Sequence, residues 1–331
     1  MRVTLIVNPF ASSVTHRTRV IIARKLAADH DLTVVETTKG GHAIRLAHGA
    51  ARAGAEVVVA LGGDGTINEV ANGLVGNANG VIDSPFPNEG TRAGHTAVVP
   101  LPGGSTNVFA RSLGFPNDPA EAASMLVAAL AAGSIIDAGV GLANGRAFLF
   151  HVGAGFDAAV VGRVERRGPL KRYAGHPLFV AATLVTWLRG VDKKNPWFSV
   201  NFDRGNTPTD RSGGDAQLAI ALNTNPYSYL GSRPLDLAPE ANLTTPLSVV
   251  ALRSLSGVRL FAAGLHALRS SSGIAHGTDT KHWTDVDGVT LRGYRPFPYQ
   301  LDGEYMGSVD QLRLEYRPAA IRLVVPDRRS G

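Results

Sequence analysis

Between residues 3 and 132 the chain alternates short β-branched runs with Ala-rich stretches of helical spacing. This restricts the fold more than any other feature. Val3–Val7, Leu32–Glu36, Val57–Leu61 and Ala97–Pro100 read as strands. Arg17–Ala28, Gly41–Ala53, about Thr66–Leu74 and Asp118–Ala132 read as helices. Strands separated by helices pair in parallel through crossovers, and strands covered on both faces become near-continuous apolar runs. The polar stretch 77–96 is expected as a surface excursion.

After about residue 137 helices become few and short alternating runs recur. These are Ala147–Val152, Phe198–Phe202, Gln217–Asn223, Leu247–Leu252, Asp279–Val289 and Tyr299–Leu301. That texture predicts an antiparallel, sandwich-like arrangement. A helical insertion, about Pro177–Arg189, interrupts it, residues 203–215 read as an exposed hairpin loop, and Ile321–Val325 reads as a last strand returning to the first half. The expected fold is α/β, a Rossmann-like parallel sheet domain followed by an antiparallel β-sandwich domain. The expected boundaries are 1–137, with about 315–331 returning, and 138–314.

The length, 331 residues, suits two domains of ordinary size. With no cysteine, disulfides, thiolate metal sites and cysteine nucleophiles are excluded. The formal charge of +6 favours anionic partners without choosing among phosphates, nucleic acid and an acidic membrane. No run approaches the ~18–20 apolar residues that cross a bilayer, and the apolar run ending at Val7 is too short for a signal peptide. A cytoplasmic protein, at most peripheral at the inner membrane face, is expected.

Chemistry concentrates in three turns that each end a strand. The first is Asn8-Pro9-Phe10-Ala11-Ser12-Ser13. The second, Gly62-Gly63-Asp64-Gly65-Thr66-Ile67-Asn68-Glu69, lies between a strand and a helix. The third is Pro102-Gly103-Gly104-Ser105-Thr106-Asn107. Glycines leave backbone N–H groups unobstructed, and those groups with a helix N-terminus make a cradle for phosphate. A carboxylate beside phosphates is repelled by them, so Asp64 calls for a bridging Mg²⁺ or a proton-accepting role; as a helix cap it needs neither. No turn matches the Walker loop or the spaced dinucleotide-binding glycines. Late in the chain, Asp302-Gly303-Glu304 is either an acidic site or a plain hairpin turn, since Asp-Gly favours one.

Taken together and in order, Asn8-Pro9, the GGDGT of 62–66 with Asn68-Glu69, the PGGSTN of 102–107 with Ala110-Arg111, and the late Asp302-Gly303-Glu304 carry a resemblance. The chain resembles the diacylglycerol kinase catalytic-domain family, which includes bacterial lipid kinases and sphingosine and ceramide kinases, over nearly its whole length. The resemblance implies ATP and Mg²⁺ as cofactors and a diacylglycerol-like lipid as substrate. It implies nucleotide contacts from Asn8, Pro9, Phe10, Ala11, Ser12, Thr37, Gly62, Gly63, Asp64, Gly65, Thr66, Ile67, Asn68, Gly104 and Ser105. It makes Asp302 or Glu304 the proton acceptor, or Asp64 by analogy with the sphingosine-kinase branch. Where the family places an acidic residue after the PGGSTN asparagine, this chain has Val108, and the Ala241–Leu247 stretch lacks the carboxylate tied to a structural metal in some members.

Two alternatives stay open: an NAD kinase, and a non-catalytic nucleotide- or lipid-binding regulator of the same fold. Arg163, Arg166, Arg167, Lys171 and Arg172 near Tyr173, with Trp187, Lys193, Lys194 and Trp197 further on, fit either an anionic membrane surface or a solvated loop. His151, His176, His266, His276 and His282 lack metal-ligand spacing. No nucleic-acid motif accompanies the basic charge. A homodimer is compatible with all of this.

Overall fold

The computed structural model describes residues 1–77, 79–80, 95–165, 195–203, 212–255 and 280–326. The expected helical insertion at 177–189, His176, His266, His276 and most of the basic cluster lie outside them. The chain divides into two compact units: Met1–Val140 with Gly145–Leu149 and Pro318–Gly331, and Gly141–Asn144 with Phe150–Arg317.

The first unit is built on a parallel sheet. Strands β1 (Arg2–Val7), β2 (Asp31–Glu36), β3 (Val57–Gly62) and β4 (Ala97–Pro102) lie in the order β4-β3-β1-β2. β3 and β4 are buried at every position, as strands covered on both faces must be. The end of the long strand β16 (Glu304–Val324) joins in parallel, pairing Arg322 with Ala97 and Leu323 with Val98. Pro100 and Pro102 fall beyond that doubly paired stretch, where the loss of an N–H is tolerated.

Helices α1 (His16–Ala27), α2 (His42–Arg52), α3 (Asp64–Val75), α4 (Val108–Ser112) and α5 (Pro119–Ala131) complete the unit. Local chemistry sets several ends. The Thr15 hydroxyl accepts from Thr18 N–H to open α1, and Asp118 accepts from Ala120 and Glu121 N–H ahead of Pro119. The segment with β6 (Arg146–Phe148) is pinned to α3 by Asn72: its amide donates to Ala147 C=O at 2.9 Å and accepts from Ala147 N–H at 2.9 Å.

The second unit is antiparallel. β7 (His151–Gly155), β8 (Phe198–Phe202), β9 (Ser212–Ala216), β10 (Leu218–Leu222), β13 (Leu247–Leu252), β14 (Thr280–Val286) and β15 (Gly288–Leu301) pair with antiparallel neighbours. A separate two-stranded ribbon joins β11 (Ser228–Leu230) and β12 (Arg233–Leu235). β15 pairs with β8 over Val289–Gly293 and with β7 over Tyr299–Leu301, with an irregularity between Arg292 and Phe297. The expected strands Asp279–Val289 and Tyr299–Leu301 are thus β14 and the two ends of β15. Helix α6 (Phe156–Glu165) follows β7 directly, and its Phe156, Val160 and Val164 pack on Leu218, Ile220, Val250 and Leu252.

Candidate active site

In the first unit the turn after each central strand leans on its neighbour's backbone. A Cβ on Gly103 would lie 2.9 Å from Gly62 Cα, and one on Gly104 would lie 2.8 Å from Gly63 Cα. Side chains at 103 and 104 do not fit at that approach, and at Gly62 a Cβ would lie 2.7 Å from the Thr66 side chain. Gly103 N–H donates to Gly62 C=O at 2.8 Å, and Asn107, itself left-handed at φ 52°, accepts from Gly104 N–H at 2.8 Å.

The turn after β1 joins the same group. Asn8 N–H donates to Leu61 C=O at 2.9 Å, and Asn8 Nδ2 donates to Thr66 Oγ1 at 2.9 Å. Asn8 Oδ1 accepts from Phe10 N–H, bending the loop, and Ser13 ties it to Gly103 and Gly104 carbonyls. A recess of about 200 Å³ opens here, lined by Asn8, Phe10, Thr37, Lys39, Gly40, Thr66 and Glu69.

Of the residues singled out from sequence, Asn8, Phe10, Thr37 and Thr66 line the recess. Pro9, Ala11 and Ser12 belong to the loop after β1, while Gly62 ends β3, Gly63 is the N-cap of α3 and Gly65 lies in its first turn. Gly104 is part of the packed turn and Ser105 is exposed. Ile67 and Asn68 face inward: Ile67 is fully buried, and Asn68 Nδ2 donates to Ala147 C=O at 3.0 Å. Lys39, Gly40 and Glu69 were not singled out as ligands. Glu69 had a legible signal in the GGDGT run, whereas Lys39 and Gly40 reach the recess only because β2 ends beside β1.

Both acids of the GGDGTINE run hold helix N-termini. Asp64 Oδ1 accepts from Phe109 N–H and Oδ2 from Val108 N–H, each at 3.0 Å, so Asp64 caps α4. Burial raises the Asp64 pKa above its usual range, opposed by those two amides and by the Arg111 charge. Glu69 accepts from Gly41 N–H at 2.7 Å and Ala43 N–H at 3.0 Å, capping α2, whose own N-cap position is a glycine.

In the second unit Asp302 and Gly303 form the two-residue turn between β15 and β16, with φ of 47° and 79° and Leu301 opposite Glu304. Positive φ at both positions is the turn that suits the twist of a hairpin. Asp302 is buried, and its Oδ1 accepts from Phe150 N–H at 2.9 Å and His151 N–H at 3.0 Å. Glu304 is exposed. His151 is 4% exposed, packs against the Phe150 and Tyr227 rings, and its pKa is lowered to about 3 by burial.

The sequence model of the diacylglycerol kinase catalytic domain matches residues 2–137. A Chromohalobacter salexigens protein named "Probable lipid kinase YegS-like" is 35% identical over 320 residues, spanning 93% of this chain and 88% of that one. The chain belongs to the diacylglycerol kinase catalytic-domain family. It is a phosphotransferase with an alcohol acceptor, as that family is. The solved structure of a diacylglycerol kinase from Bacillus anthracis str. Sterne shares the fold of this family member, with a TM-score of 0.69 at 20% identity over 100% of this chain and 98% of that one. An NAD kinase from Archaeoglobus fulgidus solved with ATP is a more distant fold neighbour, with a TM-score of 0.50 at 9% identity, covering 99% of this chain and 95% of that one. Among the described residues, no helix is long and apolar enough to cross a membrane.

Proposed function

We propose that this protein transfers the γ-phosphoryl group of ATP to a hydroxyl of diacylglycerol or a related lipid. The observation that carries the reading is the glycine-on-glycine contact of residues 62–63 and 103–104 beside a recess lined by Asn8, Thr37, Lys39 and Thr66. Phosphoryl transfer asks a protein for positioning and charge neutralisation more than for covalent chemistry. Glycine turns let a triphosphate approach the backbone closely, and the Lys39 ammonium at the recess supplies opposing charge. The nucleotide contacts are assigned to Asn8–Ser12, Thr37, Gly62–Thr66, Gly104 and Ser105, with Ile67 and Asn68 supporting the turn from the interior.

Among the described residues, no group of three or more His, Asp or Glu is arranged to hold a metal ion. A metal that enters on the phosphates suits this donor set, since Mg²⁺ commonly keeps several waters and takes few protein ligands. Asp64 already accepts backbone hydrogen bonds from Val108, Phe109 and its own N–H, so it would meet a hydrated Mg²⁺ through water rather than directly. Bound with ATP, Mg²⁺ would neutralise charge developing on the transferred group.

Glu304 is assigned as the base. It is the exposed carboxylate of the three candidates, whereas Asp302 is buried on two backbone amides and Asp64 caps α4. The lipid hydroxyl passes its proton to Glu304, its oxygen forms the new bond to the γ-phosphorus, and the bond from that phosphorus to the β–γ bridging oxygen breaks to release ADP. Membrane docking by the basic residues, with Arg163 in α6, and a homodimer belong to the same proposal.

Transfer of ³²P from γ-labelled ATP to a panel of diacylglycerol, monoacylglycerol, ceramide and NAD tests it. A labelled lipid is expected, and Glu304→Gln is expected to lower the rate by about 10²–10⁴-fold. Labelled NADP with unlabelled lipids would overturn the lipid reading.

A further inference from the structure

One buried carboxylate of the second unit has no part in the proposed transfer, yet it is one hydrogen-bonded step from the acidic hairpin. Asp157, in the first turn of α6, is 9% exposed. Its Oδ1 accepts from the Tyr227 hydroxyl at 2.5 Å, and its Oδ2 accepts from Gln300 Nε2 at 2.9 Å. Gln300 is fully buried, and its Oε1 accepts from Gly303 N–H at 2.8 Å. Asp157, Gln300 and the hairpin turn are thereby linked in series.

The chain makes room for this carboxylate. A Cβ on Gly153 would lie 1.6 Å from Asp157 Oδ2 and 2.7 Å from Gln300 Nε2, so residue 153 must be glycine for the pair to meet. Gly155, at φ +74°, turns β7 into α6, and a Cβ there would lie 2.3 Å from Gln217 C=O. Burial raises the Asp157 pKa, while the bonds from Tyr227 and Gln300 oppose the rise. Burial and the Asp157 charge push the Tyr227 pKa well above its usual value, so the phenol keeps its proton and donates.

Both Asp157 oxygens accept, from Tyr227 and from Gln300, and Gly303 N–H can only donate, whereas a glutamine amide has one accepting and one donating end. Asp157 and Gly303 N–H together therefore hold Gln300 one way round. Its NH₂ must point at Asp157, which leaves its oxygen for Gly303 N–H. With the amide reversed, two donors would meet at Gly303 and two acceptors at Asp157. A buried charge commonly adds no stability over an apolar replacement of similar volume, so what Asp157 contributes is orientation.

We propose that Asp157 is a positioning residue which, by fixing the orientation of Gln300, sets the Asp302–Gly303 turn and hence the direction in which Glu304 is presented. The proposal rests on the reading of Glu304 as the base. Asp157 touches neither substrate nor reacting atoms in it.

The test compares wild type, Asp157→Asn, the exchange D157N/Q300E, and Glu304→Gln in the ATP–lipid transfer assay, with kcat and KM for ATP measured separately. In D157N the new amide can present either its oxygen or its NH₂ to Gln300, so Gly303 N–H alone still sets that orientation. A misplaced catalytic group commonly costs about 10- to 100-fold, so kcat should fall by about that factor while KM for ATP stays within about twofold. The exchange restores each bond with the same total charge. The amide now at position 157 accepts from Tyr227 and donates to the carboxylate now at position 300, and that carboxylate accepts from Gly303 N–H. It should recover kcat to within about threefold of wild type. Thermal melting of each variant keeps a folding defect from passing as a positioning one. An unchanged kcat in D157N, or an exchange variant that melts like wild type yet stays as slow as D157N, overturns the proposal and leaves the base reading intact. Retained activity in E304Q overturns the base assignment itself, and the proposal with it.

Discussion

Asp64 and Phe109 stand 45 positions apart in the chain, and Phe109 N–H donates to Asp64 Oδ1 at 3.0 Å. With the matching bond from Val108, the acid of the GGDGT turn holds the start of the helix that follows the PGGSTN turn. The two glycine turns are therefore one construction. Backbone meets backbone at Gly62–Gly63 and Gly103–Gly104, and a carboxylate clamps the far side.

Asp64→Asn is expected to weaken that clamp. An asparagine offers one acceptor where two N–H groups need partners, so one amide of α4 loses its bond. A lost cap costs about 0.5–2 kcal/mol, and urea denaturation should register a loss in that range. Because α4 and the third turn move together, KM for ATP should rise as well. A variant of wild-type stability and unchanged KM would remove Asp64 from the role of clamp.

Gly104→Ala should be worse than its size suggests. The added methyl would lie 2.8 Å from Gly63 Cα, and backbone cannot yield as a flexible side chain does. Overpacking of this kind costs about 1–3 kcal/mol, and ATP affinity by calorimetry should drop with it. Ser105→Ala, next door and exposed, should change stability by less than about 0.5 kcal/mol. Equal behaviour of the two variants would show that the turns are not in contact.

His151 makes stability depend on pH. Its pKa is lowered from 6.5 to about 3 in the folded protein, so the unfolded chain binds the extra proton first. The contribution is complete above the unfolded value and is lost as pH falls from about 6.5 towards 3. At pH 5 the loss is about 2 kcal/mol, taking 1.36 kcal/mol per pKa unit over about 1.5 units. His151→Phe should flatten that part of the curve. Urea midpoints at pH 7.5 and pH 5 for both proteins give the difference, and parallel slopes would show that the ring is not held neutral by burial.

Much of the first unit could be read from the chain because each signal there is local. Asp118 followed by Pro119 opens a helix in any context that leaves its N–H groups to be capped, and the Val57–Leu61 run suits a strand covered on both faces. Helix α6 escaped the reading because Ala158, Val160, Val161 and Val164 are all buried, which leaves no polar face to mark a helical period. The extent of β15 escaped it too, since Arg292–Phe297 breaks both the alternation and the pairing. The Asp157–Gln300 pair left only a faint trace, Gly153-x-Gly155-Phe156-Asp157, whose meaning depends on a residue 143 positions further along.

By itself the amino-acid order settled where the backbone must bend and which segments pair in parallel, because glycine, proline and side-chain period act on immediate neighbours. Which bends touch, which acid caps which helix and which amide a buried carboxylate turns were decided only by the packed chain. Those outcomes depend on backbone approaches too close to admit a Cβ and on hydrogen bonds that close loops of 45 to more than 140 residues, and no stretch of sequence short enough to read locally contains both partners.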